Sequence, residues 1–160
     1  MVRVLFVCLG NICRSPMAEG VFGQLVAQAG LSDKIVVDSA GTGSWHAGEP
    51  PHPGTQRVLA QHGIALSSTA RQVDQTDLRS ADYIIAMDRE NVRDLRRIDH
   101  QGVLNGKLHL LLDFAPPGGP RDVPDPYYDN NFAAVYGLVE AGSVGLLAHI
   151  RDERGLHAAN

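Results

Sequence analysis

The chain has 160 residues, of which 44% are hydrophobic and 20% charged, and its formal net charge is -4 at pH 7. These values are typical of one globular domain with a substantial core. The negative charge argues against a general affinity for nucleic acid or an anionic membrane, so any anion-binding site must be local. No apolar run approaches the roughly 18 residues of a membrane span, and no signal peptide precedes the first predicted strand. We therefore expect a cytoplasmic protein with no nucleic-acid or membrane partner, whose two cysteines are free thiols.

Short apolar runs alternate along the chain with segments of helical period. The first run, VRVLFV at 2–7, is nearly all apolar, as expected for a parallel strand covered on both faces. Pro16 then marks the start of a helix, because its missing N–H costs nothing in a first turn. In chain order, the predicted elements are a strand at 2–7, a helix at 16–30, a strand at 34–41, a helix at 55–62, a strand at 82–87, a helix at 89–98, a strand at 107–112 and a helix at 131–153.

This alternation predicts the fold class. It is an α/β fold with a three-layer, doubly wound four-stranded parallel sheet, helices on both faces and the flavodoxin-like strand order 2-1-3-4. We expect a single domain over residues 1–154 and a short C-terminal tail at 155–160. In open α/β sheets the ligand site lies beyond the carboxyl ends of the strands. Polar residues cluster in the four segments that should share this edge, namely 8–15, 41–53, Asp88 and 113–130.

The loop that follows the first strand carries the clearest chemical signal. The stretch VCLGNICRSP holds both cysteines of the chain, with Gly10 and Asn11 between them. A loop that ends at a helix N-terminus turns several N–H groups into one concavity, and the helix dipole adds positive charge, so it can bind phosphate. Arg14 adds a guanidinium that can hold two phosphate oxygens. These groups would also stabilise a thiolate, which makes Cys8 a candidate nucleophile.

The run CLGNICRSPMAEG, together with DPYYD near the C-terminus, closely resembles the low-molecular-weight protein tyrosine phosphatases over essentially the whole chain. The resemblance implies that Cys8 is the nucleophile, Arg14 the phosphate clamp and Asp125 the general acid. It also implies that a hydroxyl, on Ser15, stabilises the thiolate, and that three further side chains support the loop by hydrogen bonds: Asn11, Ser39 and Asp88. The residues expected to bind phosphate are Leu9, Gly10, Asn11, Ile12, Cys13, Arg14 and Ser15.

The resemblance also implies a reaction and a set of partners. The Cys8 thiolate attacks phosphorus, Asp125 protonates the leaving phenolate, and water hydrolyses the phosphocysteine with Asp125 as base. We expect no cofactor and no metal, because the helix terminus and Arg14 supply the positive charge. The expected partners are a tyrosine-phosphorylated protein substrate and, as active-site anions, phosphate or vanadate. The protein is expected to be a monomer or a weak homodimer.

Several residues have a second interpretation. Cys13 is either a packing residue or, as the resemblance suggests, a redox partner that forms a protective disulfide with Cys8. Asp125 before a proline could form only a turn, Ser39 could cap a strand, and Asp88 could cap the following helix. A final group of side chains is predicted to line the substrate pocket, although its aromatic members could be ordinary surface residues: Ile12, Trp45, Tyr127 and Tyr128.

Other functions are compatible with the same fold. A thiol-coupled arsenate reductase needs further cysteines, which this chain lacks. A protein-arginine phosphatase typically has threonine at the position of Ile12, whereas isoleucine favours an aryl substrate. A non-catalytic phosphate-binding or phosphopeptide-binding module would not need Cys8 or Asp125. Residues 41–54 and 67–74 match mammalian family members poorly, so the sequence does not predict the specificity that the rim of the site confers.

Overall fold

The computed structural model describes residues 1–157, so the end of the predicted tail at 155–160, residues 158–160, lies outside the described residues. The strands are β1 (Val2–Cys8), β2 (Ile35–Gly41), β3 (Tyr83–Ala86) and β4 (Leu108–Leu110). The helices are α1 (Arg14–Gln28), α2 (Pro53–Gln61), α3 (Gln75–Ser80), α4 (Arg89–Ile98), α5 (Pro126–Asp129) and α6 (Phe132–Arg154), and a 3-10 turn covers Leu111–Phe114.

The four strands form one parallel sheet in the order β2-β1-β3-β4, which confirms the predicted fold class. Strand β1 occupies a central position, and every one of its residues except Arg3 is buried. This explains the nearly continuous apolar run, because a central parallel strand is covered on both faces. The register pairs Cys8 with Gly41, so the phosphate-loop cysteine lies at the carboxyl edge beside the start of the rim segment.

Alternate residues of β1 enter two different cores. Val4 and Phe6 pack in the larger core, which α1 and α6 cover. Leu5 and Val7 point to the other face, where they pack with Leu95 of α4. This period of two is the geometry of an extended strand, and it places helical layers on both sides of the sheet.

The structure corrects several predicted boundaries. Helix α1 begins at Arg14 rather than Pro16, and the proline is still tolerated because N–H groups in a first turn have no partner within the helix. The fourth strand is only three residues long, and the last two residues of the predicted strand, Leu111 and Leu112, begin the 3-10 turn. Helices α3 and α5 were not predicted, because elements of six and four residues show too little apolar periodicity.

Helix α6 is long and apolar enough to cross a membrane by length and composition alone. Its buried residues, which include Val139, Leu146 and Ile150, pack in the main core with residues of α1. A core helix of a globular domain has the same composition, since both kinds of helix need apolar side chains. We therefore interpret α6 as a core helix.

Two glycines of α6 provide a test of this packing. A Cβ atom at Gly145 would lie 1.7 Å from the backbone oxygen of Phe114, whereas a Cβ at Gly137 meets no atom within 4 Å. We expect Gly145→Ala to destabilise the protein by about 1–3 kcal/mol, because the 3-10 turn must move. Gly137→Ala should be neutral or stabilising by up to about 1 kcal/mol, because alanine favours a helix. Urea unfolding of both variants measures the difference, and equal stabilities would contradict the close approach of α6 to the turn.

Candidate active site

The loop between β1 and α1 wraps around the sulfur of Cys8. Asn11 adopts a left-handed backbone conformation with φ of 56°, which asparagine tolerates better than most residues. This bend brings the backbone N–H of Asn11 to the Cys8 Sγ, with 3.3 Å between donor and sulfur. The Ser15 hydroxyl lies 3.0 Å from the same sulfur. Cys8 is almost fully buried, with 3% of its surface exposed, so these contacts form in a protected environment.

Carbonyl groups of the loop are bound from outside by the segment that follows β2. The backbone N–H groups of Gly43 and His52 donate to the carbonyl oxygens of Leu9 and Ile12, at 2.9 Å and 2.7 Å. The carbonyl and the next N–H of a trans peptide point in opposite directions. The N–H groups that follow Leu9 and Ile12 in the chain, those of Gly10 and Cys13, therefore point away from this segment. Such an arrangement leaves backbone donors for an anion.

Asn11 is the centre of the network that holds the loop. Its Nδ2 donates to Ser15 Oγ at 2.8 Å and to Ser39 Oγ at 3.0 Å. Its Oδ1 accepts from the backbone N–H of Arg71 at 3.0 Å. The structure thus brings Asn11, Ser15 and Ser39 together near Cys8 and adds a contact with Arg71 that the sequence did not indicate.

Arg14 is almost fully buried and is held by two different acceptors. Its Nη1 donates to Asp88 Oδ2 at 2.5 Å and to the carbonyl oxygen of Val123 at 2.9 Å. Burial alone would lower the pKa of Arg14, but the negative charges of Cys8, Asp88 and Asp125 outweigh it and raise the pKa. The guanidinium is therefore charged and fixed in direction, as a phosphate clamp must be.

Asp88 joins this clamp to helix α4. Its carboxylate accepts from the backbone N–H of Asn91 at 2.8 Å, while Asn91 Oδ1 accepts from the N–H of Asp88, which forms a capping box. Asp88 thus caps α4 and also binds Arg14, while its role in supporting the loop stays a prediction. The start of α4 and the Arg14 side chain are positioned by one carboxylate.

Asp125 lies close to the same arginine. It caps α5, where its carboxylate accepts from the N–H of Tyr127 at 3.1 Å, and its Oδ2 is 3.6 Å from Arg14 Nη2. Its side chain is 26% exposed, so it is accessible from the cavity. Asp125 thus begins the turn of α5 and also places its carboxylate near Arg14.

A cavity of about 240 Å³ contains the predicted reacting groups. The residues that line it are Cys8, Leu9, Gly10, Ile12, Cys13, Arg14, Trp45, His46, Asp125, Tyr127 and Tyr128. The aromatic members form its mouth, where Trp45 and Tyr128 are 73% and 79% exposed. The cavity thus has a charged base and a largely apolar, aromatic entrance, which suits an anionic group attached to a flat ring.

Comparison with known proteins agrees with this geometry. The family model "Low molecular weight phosphotyrosine protein phosphatase" matches residues 3–156. The chain belongs to this family. It is 51% identical to the low molecular weight protein-tyrosine-phosphatase YfkJ of Bacillus subtilis, over 98% of this chain and 100% of the relative.

Solved structures show the same relationship. The crystal structure of YfkJ superposes with a TM-score of 0.92 and covers 96% of this chain and 97% of that one. An Entamoeba histolytica protein tyrosine phosphatase with Hepes in its active site has a TM-score of 0.88 at 35% identity, covering 97% and 99%. A Drosophila arginine phosphatase has a TM-score of 0.87 at 33% identity, covering 92% and 97%.

The two cysteines of this phosphatase have different environments. Burial is the main cause that raises the pKa of Cys13 to about 12, and the negative charges of Asp125 and Cys8 add to the increase. Cys13 therefore remains a thiol at neutral pH. Its carbonyl accepts from the Thr55 hydroxyl at 3.0 Å, which fixes the start of α1 against α2. A packing role is thus visible in the phosphatase, while the redox role stays a prediction.

Sequence reasoning missed some residues of the phosphatase site. His46 lines the cavity, with its Nδ1 2.6 Å from Glu49 Oε2. Its position next to Trp45 in a loop at the ligand edge is a signal that could have indicated it. The carbonyl of Val123 left no such signal, because a backbone contact does not depend on the side chain. Within residues 1–157, no group of three or more His, Cys, Asp or Glu side chains is arranged to hold a metal ion.

Alkylation tests the difference between the cysteines. We expect iodoacetamide at pH 7 to label Cys8 well before Cys13, because the thiolate is the nucleophile and the pKa of Cys13 is about 12. Labelling of Cys13 should increase as the pH rises, since more thiolate then forms. Mass spectrometry with fragmentation of the peptide that contains both residues measures each site, and unfolding in guanidinium should make the rates similar. Equal labelling of the folded protein at pH 7 would contradict the assigned environments.

Proposed function

We propose that this phosphatase hydrolyses phosphotyrosine in proteins, and small aryl phosphates, through a phosphocysteine intermediate. The observation that supports the proposal is one cavity in which Cys8, Arg14 and Asp125 meet. The sulfur of Cys8 has N–H and O–H groups beside it, while Arg14 is held at the adjacent wall by Asp88. A module that only bound phosphate would not need a nucleophile and a carboxylic acid in the same cavity.

In the first step, the Cys8 thiolate attacks phosphorus, so that a sulfur–phosphorus bond forms while the bond from phosphorus to the phenolic oxygen breaks. Arg14 and the loop N–H groups stabilise the charge on the other phosphate oxygens. Protonated Asp125 gives its proton to the departing oxygen, which leaves as a neutral phenol.

In the second step, water attacks the phosphocysteine. Asp125, now ionised, accepts a proton from this water as the new phosphorus–oxygen bond forms, and the Cys8 thiolate is released. Ser15 stabilises the thiolate in both steps, because its hydroxyl lies within hydrogen-bonding distance of the sulfur. The products are inorganic phosphate and the starting form of the enzyme, so phosphate and vanadate are expected to occupy the same site as inhibitory anions.

The substrate class follows from the walls of the cavity. Ile12, Trp45 and Tyr127 offer apolar surface above the charged base, which fits the ring of phosphotyrosine better than the short side chain of phosphoserine. Phosphoarginine is the main competitor, since one structural relative is an arginine phosphatase. A guanidinium is planar but polar, so it would leave polar groups unpaired against Ile12.

We further infer that residues 1–154 form the single catalytic domain and that it acts in the cytoplasm as a monomer or weak homodimer on tyrosine-phosphorylated proteins. Cys13 is proposed to capture oxidised Cys8 as a disulfide, which would protect the nucleophile from further oxidation. Both thiols line the same cavity, which supports this role.

A substrate panel with a nucleophile variant tests the function. The wild type should release phosphate from phosphotyrosyl peptides much faster than from phosphoseryl or phosphoarginyl peptides of the same sequence. Cys8→Ser should abolish turnover, because the hydroxyl is a far weaker nucleophile, and yet retain measurable phosphate or vanadate binding by calorimetry. Substantial turnover in a verified Cys8→Ser preparation would overturn the covalent mechanism. Faster release from phosphoarginine would overturn the substrate class.

A substitution at Asp125 distinguishes a phosphatase from a non-catalytic phosphate-binding module most clearly. Replacing it with asparagine removes the proton and little else, so the rate on a phenyl phosphate with a basic leaving group should fall by about 10²–10⁴-fold. A nitrophenyl phosphate should lose less in the first step, because its leaving group needs no proton. Burst kinetics separate this step from hydrolysis of the intermediate.

Asp129→Asn is the matched control, since Asp129 belongs to the same short helix but does not line the cavity. Equal losses in both variants would place the acid elsewhere.

A further inference from the structure

A chain of hydrogen bonds continues beyond the loop-supporting residues and ends at Glu19 of α1. Ser39 Oγ donates to Glu19 Oε1 at 2.5 Å and accepts from Asn11 Nδ2 at 3.0 Å. Asn11 Nδ2 also donates to Ser15 Oγ, which lies 3.0 Å from Cys8 Sγ. Three side chains therefore connect a carboxylate in a separate surface cleft to the sulfur of the nucleophile.

The direction of each proton in this chain can be assigned. A hydroxyl has one proton, and an amide nitrogen has two. Both amide protons of Asn11 are used, one at Ser15 and one at Ser39. Since Ser39 accepts from Asn11, its own proton is free for Glu19. Since Ser15 also accepts from Asn11, its own proton is free for the sulfur of Cys8.

Glu19 is suited to fix this direction because a carboxylate only accepts hydrogen bonds. At the other end of the amide, the backbone N–H of Arg71 only donates, and it binds Asn11 Oδ1. The orientation of the Asn11 amide is thus fixed on its oxygen side by the N–H of Arg71 and on its nitrogen side by the hydrogen bonds that lead through Ser39 to Glu19. The pKa of Glu19 is raised, chiefly by burial, and the hydrogen bond from Ser39 opposes this increase because it favours the charged, accepting form.

We propose that Glu19 is a positioning residue for the phosphatase reaction: through Ser39 and Asn11 it directs the proton of Ser15 to the Cys8 thiolate. The proposal rests on the proposed function of Cys8 as nucleophile. Without the acceptor, the Ser39 hydroxyl is no longer fixed, so the hydrogen bond that it accepts from Asn11 weakens, although Arg71 still holds the amide oxygen. The Asn11 amide would then fix Ser15 less firmly, and the hydrogen bond from Ser15 to the thiolate would weaken.

Two substitutions at Glu19 separate its acceptor role from its shape. Glu19→Met keeps similar length but removes the acceptor, and Glu19→Gln keeps an amide oxygen that can accept from Ser39. We expect Glu19→Met to lower kcat/KM for a phosphotyrosyl peptide about tenfold, as for the loss of a hydrogen bond to a charged group. Glu19→Gln should remain within about threefold of the wild type. Gln24→Met is the matched control, because Gln24 lines the same cleft on the same helix.

A second readout does not depend on turnover. The pH profile for iodoacetamide labelling of Cys8 should move to higher pH by up to about one unit in Glu19→Met, because a less stabilised thiolate forms at higher pH. Ser39→Ala should give the same movement, and the double variant should add little to it, because both changes break one chain. Thermal unfolding of each variant establishes that the fold is retained.

These results distinguish the two proposals. If the wild type hydrolysed no phosphotyrosyl peptide while Glu19→Met still moved the labelling profile, the proposed function would fail, but the influence of Glu19 on the Cys8 sulfur would stand. The role of Glu19 is overturned if Glu19→Met labels like the wild type, if Gln24→Met produces the same movement, or if Glu19→Gln behaves like Glu19→Met.

Discussion

The site depends on one side chain, the amide of Asn11, which bonds in three directions from a left-handed backbone position. A left-handed conformation costs an ordinary residue about 1–2 kcal/mol, and asparagine is among the residues that tolerate it. The bend is what brings the N–H of Asn11 to the Cys8 sulfur, and the amide then binds Ser15, Ser39 and the backbone of Arg71. The loop is therefore fixed from its interior by its own hydrogen bonds, and such fixed donors are what electrostatic preorganisation requires.

The positive charge of the site depends on a buried and paired arginine. The chain as a whole is acidic, yet it must attract a phosphate dianion, so its positive charge has to be concentrated at one place. Arg14 achieves this by burial between Asp88 and the carbonyl of Val123, which fix its direction. A buried cation without partners would be very costly, whereas a paired one is tolerated. Because Asp88 also caps α4, the guanidinium and that helix share one support.

Much of the fold could be predicted from the sequence, for reasons that the structure makes clear. The strand at 2–7 was recognisable because a central parallel strand is apolar throughout, and α4 was predicted at its observed bounds because its charged face has helical period. Helix α5 could not be predicted, because a single turn capped by Asp125 has no repeating pattern. The same limit made the turn after β4 look like strand, since apolar residues alone do not distinguish a 3-10 turn from an extended segment.

Site residues could be predicted where they lie close together in the sequence, and they could not be predicted where they come together only through contacts between distant segments. Cys8 and Arg14 stand six residues apart in a single loop, so their types and spacing carry the signal. Arg71 and Val123 contact Asn11 and Arg14 from two distant segments, and only folding brings them there. Glu19 belongs to the same run of sequence as the loop, but its link to Asn11 passes through Ser39 of β2.

The two cysteines illustrate the same division within a single loop. Both are buried and both line the cavity, so neither composition nor position in the motif explains why their thiols should behave differently. The difference lies in the hydrogen-bond donors near each sulfur. An N–H and an O–H group lie beside the sulfur of Cys8, whereas burial and nearby negative charges raise the pKa of Cys13. Burial without donors disfavours a thiolate, and burial with donors can favour it. The donors reach Cys8 only because Asn11 bends the loop and orients Ser15, so reactivity at this sulfur is a property of the folded network rather than of the cysteine itself.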